Sequence, residues 1–264
     1  MALTGEGKPG IRRLGSSALI FIFLVGTAAA AENDSLEVNV SASYYSKYVW
    51  RGQNINNSSV LQPSVSGSIH GFTGFIWANI DLAGQSQTVP DNAGEFSEAE
   101  YSVEYSAAMP GLKKMGFTAG AIQYYFPSTA MKSTTEIYGS LSMEAFLKPR
   151  ITWYGDVNAV DGSYLQLSLQ HKFAKVIKRN NGFFIDLDLT GSFGWASSGY
   201  NKSYFNVDAG TFNDVSVTVG MPIQMRHLII SPSVNISAMP GKQIGHAVLE
   251  RNNVWFGIGL ERNF

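Results

Sequence analysis

The sequence predicts an all-β protein, a 12-stranded antiparallel transmembrane β-barrel of the bacterial outer membrane, on three observations. Apolar and polar residues alternate with a period of two through most of residues 36–264, and only an extended chain puts successive side chains on opposite faces. Charged residues are 15% of the chain and aromatics 12%, against about 25% charged residues in soluble domains. The connections between alternating segments are by turns short and long, as in barrels with tight turns at one end and loops at the other. A mean hydropathy of -0.01 excludes a bundle of spanning helices, whereas a strand with one apolar face leaves hydropathy near zero.

The stretch 36–52, LEVNVSASYYSKYVWRG, opens the series. Leu36, Val38, Val40, Ala42, Tyr44, Tyr48 and Trp50 share one phase, and Glu37, Asn39, Ser41, Ser43, Lys47 and Arg51 the other. It exceeds the ~5 to 6 residues of an average strand and suits the ~9 to 11 that cross a bilayer at a tilt, so it reads as one strand continuing into solvent. The second strand alternates through Leu61, Pro63, Val65, Gly67 and Ile69, and the third through Phe72, Gly74, Ile76, Ala78, Ile80 and Leu82. The fourth sets Ala99, Tyr101, Val103 and Tyr105 against an acidic face of Glu98, Glu100 and Glu104. The fifth, 115–126, is rich in small residues, and Tyr124 and Tyr125 leave its phase open. The sixth sets Ile137, Leu141 and Met143 against Glu136, Tyr138 and Glu144.

A reversal at Lys148-Pro149 follows, since Pro donates nothing to a ladder. The seventh strand, 150–154, carries Ile151 and Trp153; the eighth carries Leu165, Leu167, Leu169 and Phe173 against Tyr164 and Lys172. The ninth sets Phe183, Ile185, Leu187, Leu189 and Phe193 against Asp186 and Asp188. Val215, Val217, Val219 and Met221 mark the tenth, Leu228, Ile230, Val234 and Ile236 the eleventh, and Val254, Phe256, Ile258, Leu260 and Phe264 the last. Odd-numbered connections, 52–59, 83–96, 127–133, 155–162, 197–210 and 239–250, run from seven to 14 residues, and even-numbered ones, 70–71, 107–114, 148–149, 174–182 and 222–226, from two to nine. A two-sheet sandwich shows the same period but gives no reason for this alternation or for the aromatic and Gly content of the apolar face.

Residues 1–31 form a separate unit. Lys8, Arg12 and Arg13 precede an apolar run at 18–25, and small residues fill 27–31, the pattern of a cleaved secretory signal peptide, with residues 32–264 as the barrel. A run of eight is short for an anchoring helix, the alternative reading. Removing it takes away Glu6, Lys8, Arg12 and Arg13, so the formal charge falls from -1 to -3, which gives no ground for a nucleic-acid partner. Without Cys, the exported chain has no disulfide framework.

The residues offer no catalytic centre, cofactor motif or metal site. The four histidines, His70, His171, His227 and His246, lie at turns, at a strand end or in a loop with no nucleophile at a telling spacing. Neither G-x-S-x-G, H-E-x-x-H nor a phosphate loop occurs. The polar phase stands out instead. With apolar positions toward lipid, Glu37, Glu98, Glu100, Glu104, Glu136, Glu144, Asp186, Asp188, Asp214 and Glu261 point inward with only Lys47, Arg51, Arg150 and Lys172 against them. Such a lining either cross-links and solvates the interior or lines a pore that favours cations.

The run SKYVWRG at 46–52, whose core is Tyr48, Val49, Trp50, Arg51 and Gly52, followed by Pro63, Gly71-Phe72 and Trp77, resembles the signature of the TorF family of proteobacterial outer-membrane porins. The likeness extends through 124–127 to the terminal Phe264; Trp50 stands where the family has Phe, and Asn54 to Asn57 depart from its Ser- and Gln-rich pattern. The resemblance implies the outer membrane of a Gram-negative bacterium, outer-membrane lipid as the surroundings, and Phe264 as a signal to the barrel assembly machinery. It also implies a passive pore for small hydrophilic solutes, to which the acidic lining adds an expected weak cation preference. A closed barrel acting through its outer loops is the alternative.

Overall fold

The computed structural model describes residues 35–83, 93–129, 131–179 and 182–264. The expected signal peptide falls outside them. The strands are β1 (Glu37–Tyr45), β2 (Tyr48–Trp50), β3 (Gln53–Asn56), β4 (Val60–Ile69), β5 (Phe72–Asp81), β6 (Phe96–Ala108), β7 (Met115–Tyr125), β8 (Thr134–Met143), β9 (Arg150–Asp156) and β10 (Ser163–Lys178). They continue with β11 (Phe183–Ala196), β12 (Thr211–Gly220), β13 (Ile223–Met225), β14 (Leu228–Ala238) and β15 (Asn252–Asn263). Among the described residues, two short helices, α1 (Ser198–Phe205) and α2 (Lys242–Ala247), lie in the connections after β11 and β14.

Every wall strand pairs antiparallel with its neighbours, and β1 closes the circle by pairing β15 from Asn39↔Asn263 to Tyr45↔Gly257. β12 and β13 are two parts of one wall strand, both running between β11 and β14, so the closed barrel has twelve strands as the sequence predicts. Closure removes the free edges that would otherwise template aggregation. The apolar phase faces outward: Val65, Ile76, Val103, Ile137, Leu141, Val217, Ile236 and Ile258 are all exposed, and aromatics such as Tyr101, Tyr125, Trp153 and Phe193 stand among them. In water such a surface would be an aggregation hazard, whereas in lipid it costs nothing. The start of β1, the end of β15 and the short turns share one end, the periplasmic end by the rule for such barrels.

Four expectations need correction. The first strand stops at Tyr45, and residues 48–56 turn inward as the separate β2–β3 hairpin. The connection expected at 222–226 is an interruption inside a wall strand, because Pro222 cannot donate to the ladder but pairing resumes at Ile223↔Ile230; the chain reverses at Arg226-His227. β10 continues past Phe173 to Lys178 by absorbing a bulge around Lys175, whose φ is 55°. β9 continues to Asp156, two residues past its expected end. The phase left open in β7 is settled: Gly116, Thr118, Ile122 and Tyr124 are buried toward the interior, and Ala119 and Tyr125 face out.

The two faces predict a clear asymmetry. Val103, 57% exposed on the lipid side, and Ser102, which lines the interior, are adjacent on β6. Val103→Lys is expected to lower the unfolding free energy by about 2 to 4 kcal/mol in urea titrations of the lipid-embedded barrel, with Ser102→Lys close to neutral.

Candidate functional site

Twelve strands enclose more space than their own inward side chains fill, and the chain fills the outer half with the β2–β3 hairpin. Its turn is Arg51-Gly52, with φ of 41° and 81°, the two-residue geometry with both central residues left-handed that matches strand twist. Gly52 is required twice over: the positive φ suits only glycine, and an added Cβ would stand 2.6 Å from the Asp214 Cβ and 2.9 Å from Met239 Cγ. Tyr48, Val49 and Trp50 are each less than 5% exposed. Trp50 packs on α1 through Tyr204, ring centroids 5.6 Å apart, and Tyr48 packs on Trp77 of β5 at 5.9 Å.

Among the described residues the hairpin makes no ladder with the wall; β2 pairs with β3, and the unit is docked by side chains. Arg51 carries most of the docking. Its Nη1 and Nη2 donate to the two Glu136 oxygens at 3.0 and 2.8 Å, a bidentate pair with both side chains buried. Tyr124 donates to the same carboxylate at 2.8 Å, and Arg51 Nη1 reaches the Tyr200 hydroxyl of α1 at 3.3 Å. Elsewhere Tyr48 donates to Glu98 at 2.8 Å, and Asn253 donates to the Gly52 carbonyl at 3.3 Å. At the outer rim Lys47 and Asn54 donate to Glu250 at 3.0 and 2.7 Å, and the Asn54 and Lys47 bonds hold that carboxyl below its usual range. Inside the hairpin, Trp50 Nε1, Gln53 Nε2 and Asn56 Nδ2 are buried and meet no acceptor among the described residues.

Beneath the hairpin lies a cavity of about 880 Å³, running from the rim residues Glu37, His70 and Asn263 up to Val49, Arg51 and Gly52. Serine hydroxyls recur along its wall, among them Ser41, Ser64, Ser102, Ser168, Ser192 and Ser216. Small side chains at these inward positions leave the space open.

The expected pore-lining residues separate into three groups. Glu104, Glu144, Arg150, Asp186, Asp188 and Arg51 line the cavity, where Glu104 accepts from Tyr138 at 2.6 Å, Arg150 donates to Thr118 at 2.8 Å, and Lys172 bridges Asp186 and Asp188 at 3.7 and 3.6 Å. Glu98, Glu100 and Glu136 face inward but are buried in the layer that the hairpin seals. Lys47 is corrected: the chain leaves the wall after Tyr45, so Lys47 sits at the outer rim with Glu250. The motif residues Tyr48 to Gly52 form the hairpin itself. Phe264 is exposed at the barrel's end with the Arg262 guanidinium 4.6 Å from its ring. The sequence reading missed Tyr124, Tyr154, Tyr164 and Tyr200, which surround Arg51 and Glu136; tyrosines on the polar phase of β9 and β10 were the signal. Of the histidines, His171 packs on Phe146 and Phe173, and its Nδ1 lies 2.7 Å from the Phe146 carbonyl oxygen. Among the described residues no cluster of three His, Cys, Asp or Glu could hold a metal ion.

No family model matches the chain, and no curated protein matches its sequence. Among solved structures it is similar to LpxR from Salmonella typhimurium, at 8% identity over 85% of this chain and 99% of that one, with a TM-score of 0.54. It is likewise similar to the NanC porin, at 11% identity over 85% of this chain and 98% of that one, with a TM-score of 0.51. These likenesses establish the fold, a barrel of the outer-membrane type.

The Arg51–Glu136 pair predicts non-additive energetics. Arg51→Met leaves a buried carboxylate without its cation and is expected to cost about 3 to 5 kcal/mol. Adding Glu136→Gln to it is expected to restore part of that loss, which a double-mutant cycle from urea unfolding reads as the coupling.

Proposed function

We propose that the protein is an outer-membrane channel for small hydrophilic solutes, in a conformation whose outer mouth its own β2–β3 hairpin closes. The observation that carries this reading is the cavity: a space of about 880 Å³ with serines and charged groups along its wall, which stops at a segment held by side chains. A purely structural barrel gains from filling its interior, because dispersion contacts and the cost of voids both favour packing. Here small serines keep the interior open, and the cavity ends at a hairpin of a kind that is marginal by itself. The resemblance of the hairpin sequence to TorF-family porins supports the same reading, as does Phe264 in the role of an assembly signal.

A weak cation preference belongs to the proposal. Seven acids, Glu37, Glu104, Glu144, Asp186, Asp188, Asp214 and Glu261, and four bases, Arg51, Lys148, Arg150 and Lys172, line the cavity. Their potentials overlap, since a charge acts over about 8 Å at physiological salt. Displacing the hairpin would remove Arg51 and uncover Glu98, Glu100 and Glu136, sharpening the preference. The closed-barrel alternative is favoured by the packing of Tyr200, Tyr204, Met239 and Ile244 over the outer end, and one experiment separates the two.

Replacing residues 47–57 by a short Gly-Ser linker leaves every wall ladder intact. In planar bilayers this variant is expected to show discrete conductance well above that of the wild type, with a cation-selective reversal potential in a salt gradient. A folded variant without conductance would favour the closed barrel, and an anion-selective one would refute the acidic lumen.

A further inference from the structure

The surroundings of Arg51 have the chemistry of a receptor site. Its guanidinium carbon lies 4.4 Å from the ring centre of Trp50, 4.7 Å from Tyr154, 4.2 Å from Tyr164 and 5.7 Å from Tyr200. A cation placed against several aromatic faces gains from each quadrupole, and more so when water is excluded. The two Glu136 oxygens close the cage with parallel hydrogen bonds that match a planar fork and not a compact ammonium. Tyr124 orients that carboxylate, and Tyr164 is fixed by donating to Asp214 at 2.9 Å.

The ownership of these parts matters most. Glu136 stands on β8, Tyr154 on β9, Tyr164 on β10 and Tyr200 on α1, so only Trp50 travels with the hairpin. Were the hairpin to leave, the cage would keep its carboxylate and its three tyrosines and lose the counter-ion, which a free cation can replace. The cage is also within reach of solutes, because Arg51, Tyr124 and Tyr154 form part of the roof of the cavity.

We propose that Glu136, Tyr154, Tyr164 and Tyr200 form a binding site for guanidinium-bearing solutes, and that Arg51 is its tethered occupant. A free guanidinium solute competes with Arg51 and, by binding only the vacated cage, shifts the population toward the displaced hairpin. Because the tethered side chain competes at high effective concentration, affinity in the wild type is low, and it rises when Arg51 is removed. The consequence for passage rests on the channel reading; the binding does not.

The test uses the purified, folded full barrel in detergent, with methylguanidinium as probe, methylammonium as comparator and calorimetry as readout. Arg51→Gly removes the occupant and suits the left-handed turn. It is expected to bind methylguanidinium saturably, about tenfold or more tighter than it binds methylammonium and than the wild type binds either. Adding Glu136→Gln is expected to abolish that binding. A second measurement keeps the wild-type chain: methylguanidinium, and not methylammonium at equal concentration, is expected to speed chymotrypsin cleavage after Tyr48 or Trp50. No saturable binding by the folded Arg51→Gly barrel, binding indifferent to Glu136→Gln, or cleavage that both cations or neither accelerates would overturn the proposal. Binding in a barrel that never conducts would sink the channel reading and leave the site standing.

Discussion

The structure depends on one buried ion pair. Arg51 and Glu136 meet in the interior of a barrel too wide for its own wall side chains to fill, with 6% and 3% of their side chains exposed. Desolvating two charges is expensive, and their attraction repays it only when geometry is good and the remaining donors and acceptors are met. Both conditions hold here. The pair is bidentate, Tyr124 takes a further carboxylate lone pair, and four aromatic faces surround the guanidinium. Lysine could not substitute, since an ammonium is a point charge without the planar fork and is more strongly hydrated.

Around this pair the rest of the outer half falls into place. The Arg51-Gly52 turn delivers the guanidinium by accepting a left-handed residue that is not glycine, a cost of about 1 to 2 kcal/mol. α1 supplies Tyr200 and Tyr204 as a lid on the hairpin; Ser197 caps its first turn, and Asn201 fixes its far side by donating to the Ala209 carbonyl at 2.8 Å. Against these gains stand the buried Trp50, Gln53 and Asn56 polar atoms, which meet no acceptor among the described residues and cost stability wherever water does not reach them. The hairpin is tied by buried aromatic packing and a few strong side-chain contacts, and the wall by strand-to-strand bonds all the way round.

The wall was legible because lipid outside and polar groups inside impose a two-residue period that survives in almost every strand. Residues 46–56 were misread for an instructive reason: Tyr48 and Trp50 continue the phase of Val40, Ala42 and Tyr44, so periodicity carries the first strand past its true end at Tyr45. What could have divided it is Gly52, which suits a left-handed turn and follows the strand formers Tyr48, Val49 and Trp50. β7 hid its phase because Ile122 and Tyr124 are apolar residues facing inward, where they join the cluster around the hairpin and not lipid. The acids were found by phase, and Glu136 among them, but phase cannot say that Glu98, Glu100 and Glu136 lie in a sealed layer. That follows from where the hairpin docks, a long-range fact with no local signal.

The central claim is that residues 48–56 lie inside the barrel and close its outer mouth, and the absence of Cys from the chain makes it directly testable. Val49→Cys places one thiol on the buried hairpin, and Asn57→Cys places one on the exposed segment beside it. The measurement is the rate at which a bulky, membrane-impermeant maleimide added outside intact cells modifies each. The account predicts prompt labelling of Asn57→Cys and strong protection of Val49→Cys until the outer membrane is permeabilised and the reagent enters the cavity from the periplasmic side. Equal labelling of the two from outside would show that the hairpin is not in the lumen and would contradict the account.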